Sequence, residues 1–182
     1  GKTTTIRIML DIFKADSGSV SILGGPLNQA RLDRIGYLPE ERGLYRDQRL
    51  DTTLVYLATL KGMRQDDARE KLTGWLRRMD LLEHRGKKVQ ELSKGMQQKA
   101  QIIASMLHEP EVLVIDEPFT GLDPVNTRLV KDMIEEQRRA GCTVIMSTHQ
   151  MYQVEALCSR IALINSGRTV LYGDVEGIRR SF

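Results

Sequence analysis

Hydrophobic positions along the chain recur with two periods, and the switches between them predict alternating helices and strands. Ile6, Met9, Leu10 and Phe13 share one face at helical spacing and predict a helix over residues 3–13. Short apolar runs predict strands at 20–23, closed by Gly24-Gly25-Pro26, and at 35–38, stopped by Pro39. From Asp51 to Leu107 the pattern turns helical, with helices expected over 52–61, 66–79 and 93–107. The last of these would bury Ala100, Ile103, Ala104 and Leu107 along one stripe. Residues 112–115 are continuously apolar, as in a strand covered on both faces. A helix over 125–140 ending at Gly141, a strand at 143–147, a helix at 151–157 and a strand at 161–165 follow. The turn Asn165-Ser166-Gly167-Arg168 then leads into a short strand at 169–172.

Strands separated by helices of this length imply an α/β fold with a parallel sheet flanked by helices. The chain of 182 residues suits one domain, residues 1–182. Its α/β core is expected at 1–50 and 108–182, with a helical subdomain inserted at 51–107. Composition adds mainly exclusions. With 41% hydrophobic and 28% charged residues the chain is too apolar for a disordered one. A net charge of +3, from 27 Lys+Arg against 24 Asp+Glu, is too weak and scattered to announce nucleic acid, and no nucleic-acid partner is expected. The longest apolar run, residues 54–58, falls far short of the roughly 18 residues of a membrane span. Cys142 and Cys158 are too few and too separated for a disulfide framework or a metal clasp, which points to a reducing compartment. The chain opens on Gly1-Lys2-Thr3-Thr4-Thr5 without an initiator Met or a charged-then-apolar leader. That start reads as the second half of a motif, in a domain whose first strands are missing.

Three segments carry chemistry. Gly1-Lys2-Thr3 ahead of an amphipathic helix has the form of a phosphate-loop tail: helix-start amides point at an anion, the lysine neutralises it, and the threonine hydroxyl can serve Mg2+. A surface lysine on a threonine-rich helix start reads equally well at this point. Asp116-Glu117 follows the apolar run, at the sheet edge where open α/β folds bind ligands. One acid can hold Mg2+ and the next can orient or deprotonate a water; the bland alternative is a solvated strand end. Leu92-Ser93-Lys94-Gly95-Met96-Gln97-Gln98 stands at a helix start, where Ser93 is a plausible N-cap and the amides suit an anion. Alone it would be a capped helix and nothing more. It is accompanied by Thr120-Gly121-Leu122-Asp123 and by Thr148-His149 at the end of the next strand, where the histidine could reach a phosphate or the water.

Together these residues resemble the ATP-binding cassette (ABC) ATPases across essentially the whole chain. The elements occur in the family's order: the Walker A tail Gly1 to Thr4, a Q-loop region at Pro39-Glu40, the signature Leu92 to Gln98, Walker B with its D-loop, and the switch histidine. The resemblance implies a P-loop NTPase sheet and an ATPase that uses ATP and Mg2+. Gly1, Lys2, Thr3 and Thr4 would bind phosphates, and Thr3 and Asp116 would serve Mg2+. Glu117 would be the catalytic carboxylate and His149 the γ-phosphate sensor. Two cassettes pair head to tail in such proteins, so Ser93 and Gly95 would grip the ATP of a second cassette, identical or different, with Asp123 at the interface.

Two positions depart from the family pattern. Glu40 stands where a glutamine is usual and adds negative charge near the phosphates; Lys94 brings a cation to the signature helix start, reaching phosphate or solvent. The stretch Tyr37 to Tyr45, with Leu92 to Met96, looks like the ATPases of ABC-2-type exporters, including sodium-extrusion and multidrug systems. That resemblance implies a peripheral subunit on the cytoplasmic face of the membrane, driving a separate permease docked on residues 54–79 and 39–47. Leu44, Tyr45, Leu57 and Trp75 are the apolar candidates there, with core of the insert as their other reading. The alternative function is a translation-factor-type cassette acting on ribosomes.

Overall fold

The computed structural model describes residues 1–41 and 43–181. Of the exporter-like stretch quoted above, Arg42 therefore lies outside the described residues.

Three strands, β1 (Ile35–Leu38), β2 (Val112–Asp116) and β3 (Thr143–Ser147), form a parallel sheet in the order β1-β2-β3. β2 is central and buried at every position, which is why it reads as an uninterrupted apolar run. Its alternate residues serve two cores. Val112 and Val114 pack with Ile35, with Ile6 of helix α1 (Lys2–Met9) and with Leu10, which caps that helix. Leu113 and Ile115 face the larger cluster, built with α5 (Lys94–Met106), α6 (Pro124–Arg139) and the inserted helices α3 (Leu50–Leu60) and α4 (Gln65–Arg78). Both faces are covered, as a parallel sheet requires.

Gly36 fixes how closely α5 approaches the sheet. A Cβ at Gly36 would run into the carbonyl oxygen of Ser105 and crowd Leu113 and Pro110. Only a residue without a side chain lets the α5 backbone lie against β1.

Several elements differ from the sequence expectation. The helix at 3–13 stops at Met9: Leu10 caps it, Asp11 turns to φ 58°, and Phe13 is exposed beneath the Arg7 guanidinium, 5.6 Å from its ring centroid. The strand expected at 20–23 is a single bridge between Ile22 and Gly25. Leu23 at φ 54° and Gly24 at φ 78° reverse the chain at once, so the run pairs with its own continuation and builds no ladder. β4 (Arg160–Asn165) and β5 (Arg168–Asp174) form an antiparallel hairpin of their own beside the parallel sheet, with a bulge after Leu163. Their exposed positions explain the mixed pattern of residues 161–172. Two short helices, α2 (Gln29–Leu32), capped by the Asn28 side chain, and α8 (Val175–Ser181), have too few apolar positions to show a period. The remaining helix, α7 (Met151–Leu157), lies where expected.

In the insert, Trp75 and Leu44 are half-buried against the larger core, and Leu57 is half-buried. Tyr45 is exposed, its ring 6.0 Å from that of the equally exposed Tyr56. A groove of about 460 Å³ runs beside them between α3 and α4, lined by Val55, Tyr56, Leu72, Leu76, Arg69 and Arg85 among others.

Candidate active site

All three parallel strands end at one edge, so the residues that follow them share a rim: Pro39-Glu40 after β1, Glu117 after β2, Thr148-His149 after β3. α1 packs on β2 and brings Lys2 to the same rim. Lys2 Nζ donates to Glu117 Oε1 at 2.8 Å, and His149 Nδ1 stands 3.0 Å from that same oxygen. A lysine and a histidine from different sequence segments thus converge on one oxygen of the acid.

Glu117 is 8% exposed and has the left-handed backbone φ of 50°, a conformation uncommon for residues other than glycine. Its N–H donates to the Ser147 carbonyl at 3.1 Å and its carbonyl accepts from the Thr120 N–H at 3.3 Å. Those bonds hold a strained turn that lifts the carboxylate off the strand end, a form of strain that clusters at functional sites. Burial pushes the Glu117 carboxyl up, but hydrogen bonds and charge from Lys2 and His149 outweigh it and hold the group below the ordinary carboxylate range. At neutral pH it is a carboxylate.

Asp116 is 1% exposed. Its Oδ1 accepts from the Ser147 hydroxyl, while Oδ2 is buried with no hydrogen-bond partner among the described residues. A buried, unpartnered carboxylate oxygen is costly unless something positive or a donor meets it. That is the chemistry of a cation ligand, and hard oxygen donors suit Mg2+. The half-buried Thr3, in the first turn of α1, is the hydroxyl expected to share that cation. Gly1 caps α1 without a side-chain bond, and no acid occupies the first turn, which leaves its amides for an anion. Thr4 is exposed in the same turn.

The remaining predicted residues are not brought into this group. Ser93 is exposed and caps α5, its hydroxyl accepting from the Met96 N–H at 3.2 Å. A Cβ on Gly95 would meet only open space, and Lys94 is exposed. Asp123 caps α6; hydrogen bonds from the Asn126 backbone and side chain hold its carboxyl below the usual range. Glu40 is exposed and makes no hydrogen bond to another described residue. The loop it opens is tied down instead by buried Gln101, whose Nε2 donates to the Glu41 carbonyl at 2.9 Å. Sequence reasoning passed over two residues here, Gln101 and Ser147. Gln101 carries a weak signal, a polar residue on the buried side of an amphipathic helix. Ser147 carries none until β2 and β3 are placed in register.

A family model described as ABC transporter matches residues 1–120. A second, described as AAA domain, putative AbiEii toxin, Type IV TA system, matches residues 88–155. The uncharacterized ABC transporter ATP-binding protein YhaQ of Bacillus subtilis (strain 168) is 46% identical over all of this chain, which spans 61% of that relative. The Nod factor export ATP-binding protein I of Burkholderia pseudomallei (strain 1710b) is 34% identical over 95% of this chain and 58% of its own. A solved structure titled as the ATP binding subunit of an ABC transporter superposes with a TM-score of 0.93 at 30% identity, covering 100% of this chain and 77% of that one.

Proposed function

The chain belongs to the ABC transporter family, and from that premise we infer that the protein binds and hydrolyses ATP to power a separate membrane permease, as an exporter of the ABC-2 type. The observation that carries the catalytic part is the convergence of Lys2 and His149 on the Glu117 carboxylate beside buried Asp116.

In this reading ATP is the substrate. Its phosphates take the first-turn amides of α1 from Gly1 to Thr4 and draw Lys2 away from Glu117. Thr3 and Asp116 would hold Mg2+, which when bound would neutralise charge on the phosphate oxygens. Glu117, released from Lys2, orients a water for in-line attack on the γ-phosphate and accepts its proton. His149 turns from Glu117 to the γ-phosphate and so senses its presence.

A second cassette completes the site. Ser93 and Gly95 lie at an exposed helix start with space for a phosphate beside the glycine. Asp123 is exposed next to Val125, which is 79% exposed at the start of α6. Both features suit an interface that forms when nucleotide is bound. Glu40 follows β1 at the same edge of the sheet, and its carboxylate would face the Mg2+ there.

Export rests on the likeness to the Nod factor export ATP-binding protein and on the Tyr37 to Tyr45 resemblance. Among the described residues no helix is long and apolar enough to cross a membrane. The proposed place of work is the cytoplasmic face of the membrane, with the permease seated against exposed Tyr45 and Tyr56 and the adjoining groove.

Glu117→Gln in the full-length protein tests the catalytic assignment. Its steady-state phosphate release should fall by about 100-fold or more, the loss expected of a general base, with ATP still bound. Turnover at the parent rate would remove Glu117 from the role.

A further inference from the structure

We propose that Ser147 is a positioning residue for the metal-binding acid, resting on the reading of Asp116 given above. The β2–β3 register places Ser147 directly across from Asp116. Its hydroxyl donates to Asp116 Oδ1, and both residues are buried, at 8% and 1% exposure. The carboxylate is pinned through one oxygen, and the other, Oδ2, is the unpartnered one. A carboxylate held this way has one orientation, so the free oxygen is aimed before any cation arrives. Outer hydrogen-bond partners of metal ligands act in this manner, by fixing the ligand's direction rather than by touching the ion.

The same residue also serves the neighbouring acid, through a different atom. The Ser147 carbonyl accepts the Glu117 N–H at 3.1 Å and helps hold its left-handed turn. Ser147 therefore sets the direction of Asp116 by its side chain and the backbone of Glu117 by its main chain. A side-chain substitution removes the first contact and keeps the second, which separates metal positioning from the Glu117 turn. A hydroxyl that merely satisfies itself at a strand end would affect stability alone.

The experiment uses the full-length protein, a non-hydrolysable ATP analogue, and Mn2+ as a paramagnetic probe titrated by electron spin resonance. Ser147→Ala should raise the Mn2+ Kd about 10- to 100-fold, the range for loss of an outer-shell partner. Nucleotide binding without metal should be unchanged, and Ser147→Thr, which keeps the hydroxyl, should restore Mn2+ affinity. If Ser147→Ala does not fold, Ser147→Cys, with a weak donor of similar size, carries the same comparison. Parent-like Mn2+ affinity in the Ser147 variant, with affinity lost in Asp116→Asn, would overturn the positioning role and leave the metal assignment standing. Parent-like affinity in both variants would overturn the metal assignment of Asp116, and the role of Ser147 with it.

Discussion

At Glu117 two effects oppose each other, and which one wins has a consequence for stability. Burial disfavours the charged carboxylate, while Lys2 and His149 favour it, and the group ends below the ordinary value of 4.5. A carboxyl depressed in the folded state binds its proton more weakly there than in the unfolded chain. Its pairing therefore stabilises the fold at any pH above about 4.5 and is lost as pH falls through the lower folded value. The Lys2 side chain is 39% exposed, so solvent screens the pair and holds its worth to the order of 1 kcal/mol. Lys2→Met should lower the melting temperature of the nucleotide-free protein by about 2–4 °C at pH 7. The difference should disappear in the acid limb, below the folded carboxyl value. Melting curves of both proteins across pH check this; a deficit that stays constant into acid would show that the lysine stabilises by packing and not by charge. The same residue-scale view explains what was readable beforehand. Lys2, Asp116, Glu117 and His149 announce themselves because phosphate and metal chemistry demands particular residue types at strand and helix ends. Ser147 does not, since a serine at a strand end means nothing until its neighbour across the sheet is known.

At the scale of elements, apolar period placed the longer helices and most strands, the exposed hairpin included, and went astray at residues 20–23, at the end of α1 and at the short helices α2 and α8. β2, α5 and α6 lie close to their expected bounds because each buries a continuous run or stripe. Residues 20–23 have the composition of a strand but bridge only to Gly25, and pairing is not written in one segment alone. Among the described residues the parallel sheet holds three strands, and the hairpin β4–β5 stands apart from it with most positions exposed. The junction of β1 and α5 offers a sharp test of element packing. Gly36→Ala places a methyl group against the Ser105 carbonyl, a backbone atom that cannot swing aside. It should cost about 1–3 kcal/mol, seen as a lowered denaturant midpoint. Gly74→Ala, in the interior of α4 with nothing within 4 Å of the new methyl, should instead stabilise by up to about 1 kcal/mol through helix propensity. Equal effects at the two glycines would mean that α5 does not press on β1 as closely as described.

At the scale of the whole molecule, the site divides into two groups on one chain. Lys2, Asp116, Glu117 and His149 meet at the sheet rim, while Ser93 and Gly95 sit at an exposed helix start bonded to none of them. That division follows if the second group serves another copy, and it makes the two groups separable by mutation. On that account Ser93→Arg would obstruct the site of the partner and leave its own rim intact, and Glu117→Gln would disable its own rim and leave the partner's intact. In full-length homodimers each variant alone should bind ATP and release almost no phosphate. Mixed in equal amounts and allowed to exchange, half of the pairs carry one variant of each kind, and each such pair holds one unspoiled site. Phosphate release by the mixture should return to about a quarter of the parent rate, as random two-fold pairing dictates. A mixture as inactive as its components, or Ser93→Arg protein that hydrolyses ATP unaided, would contradict a catalytic centre shared between two copies.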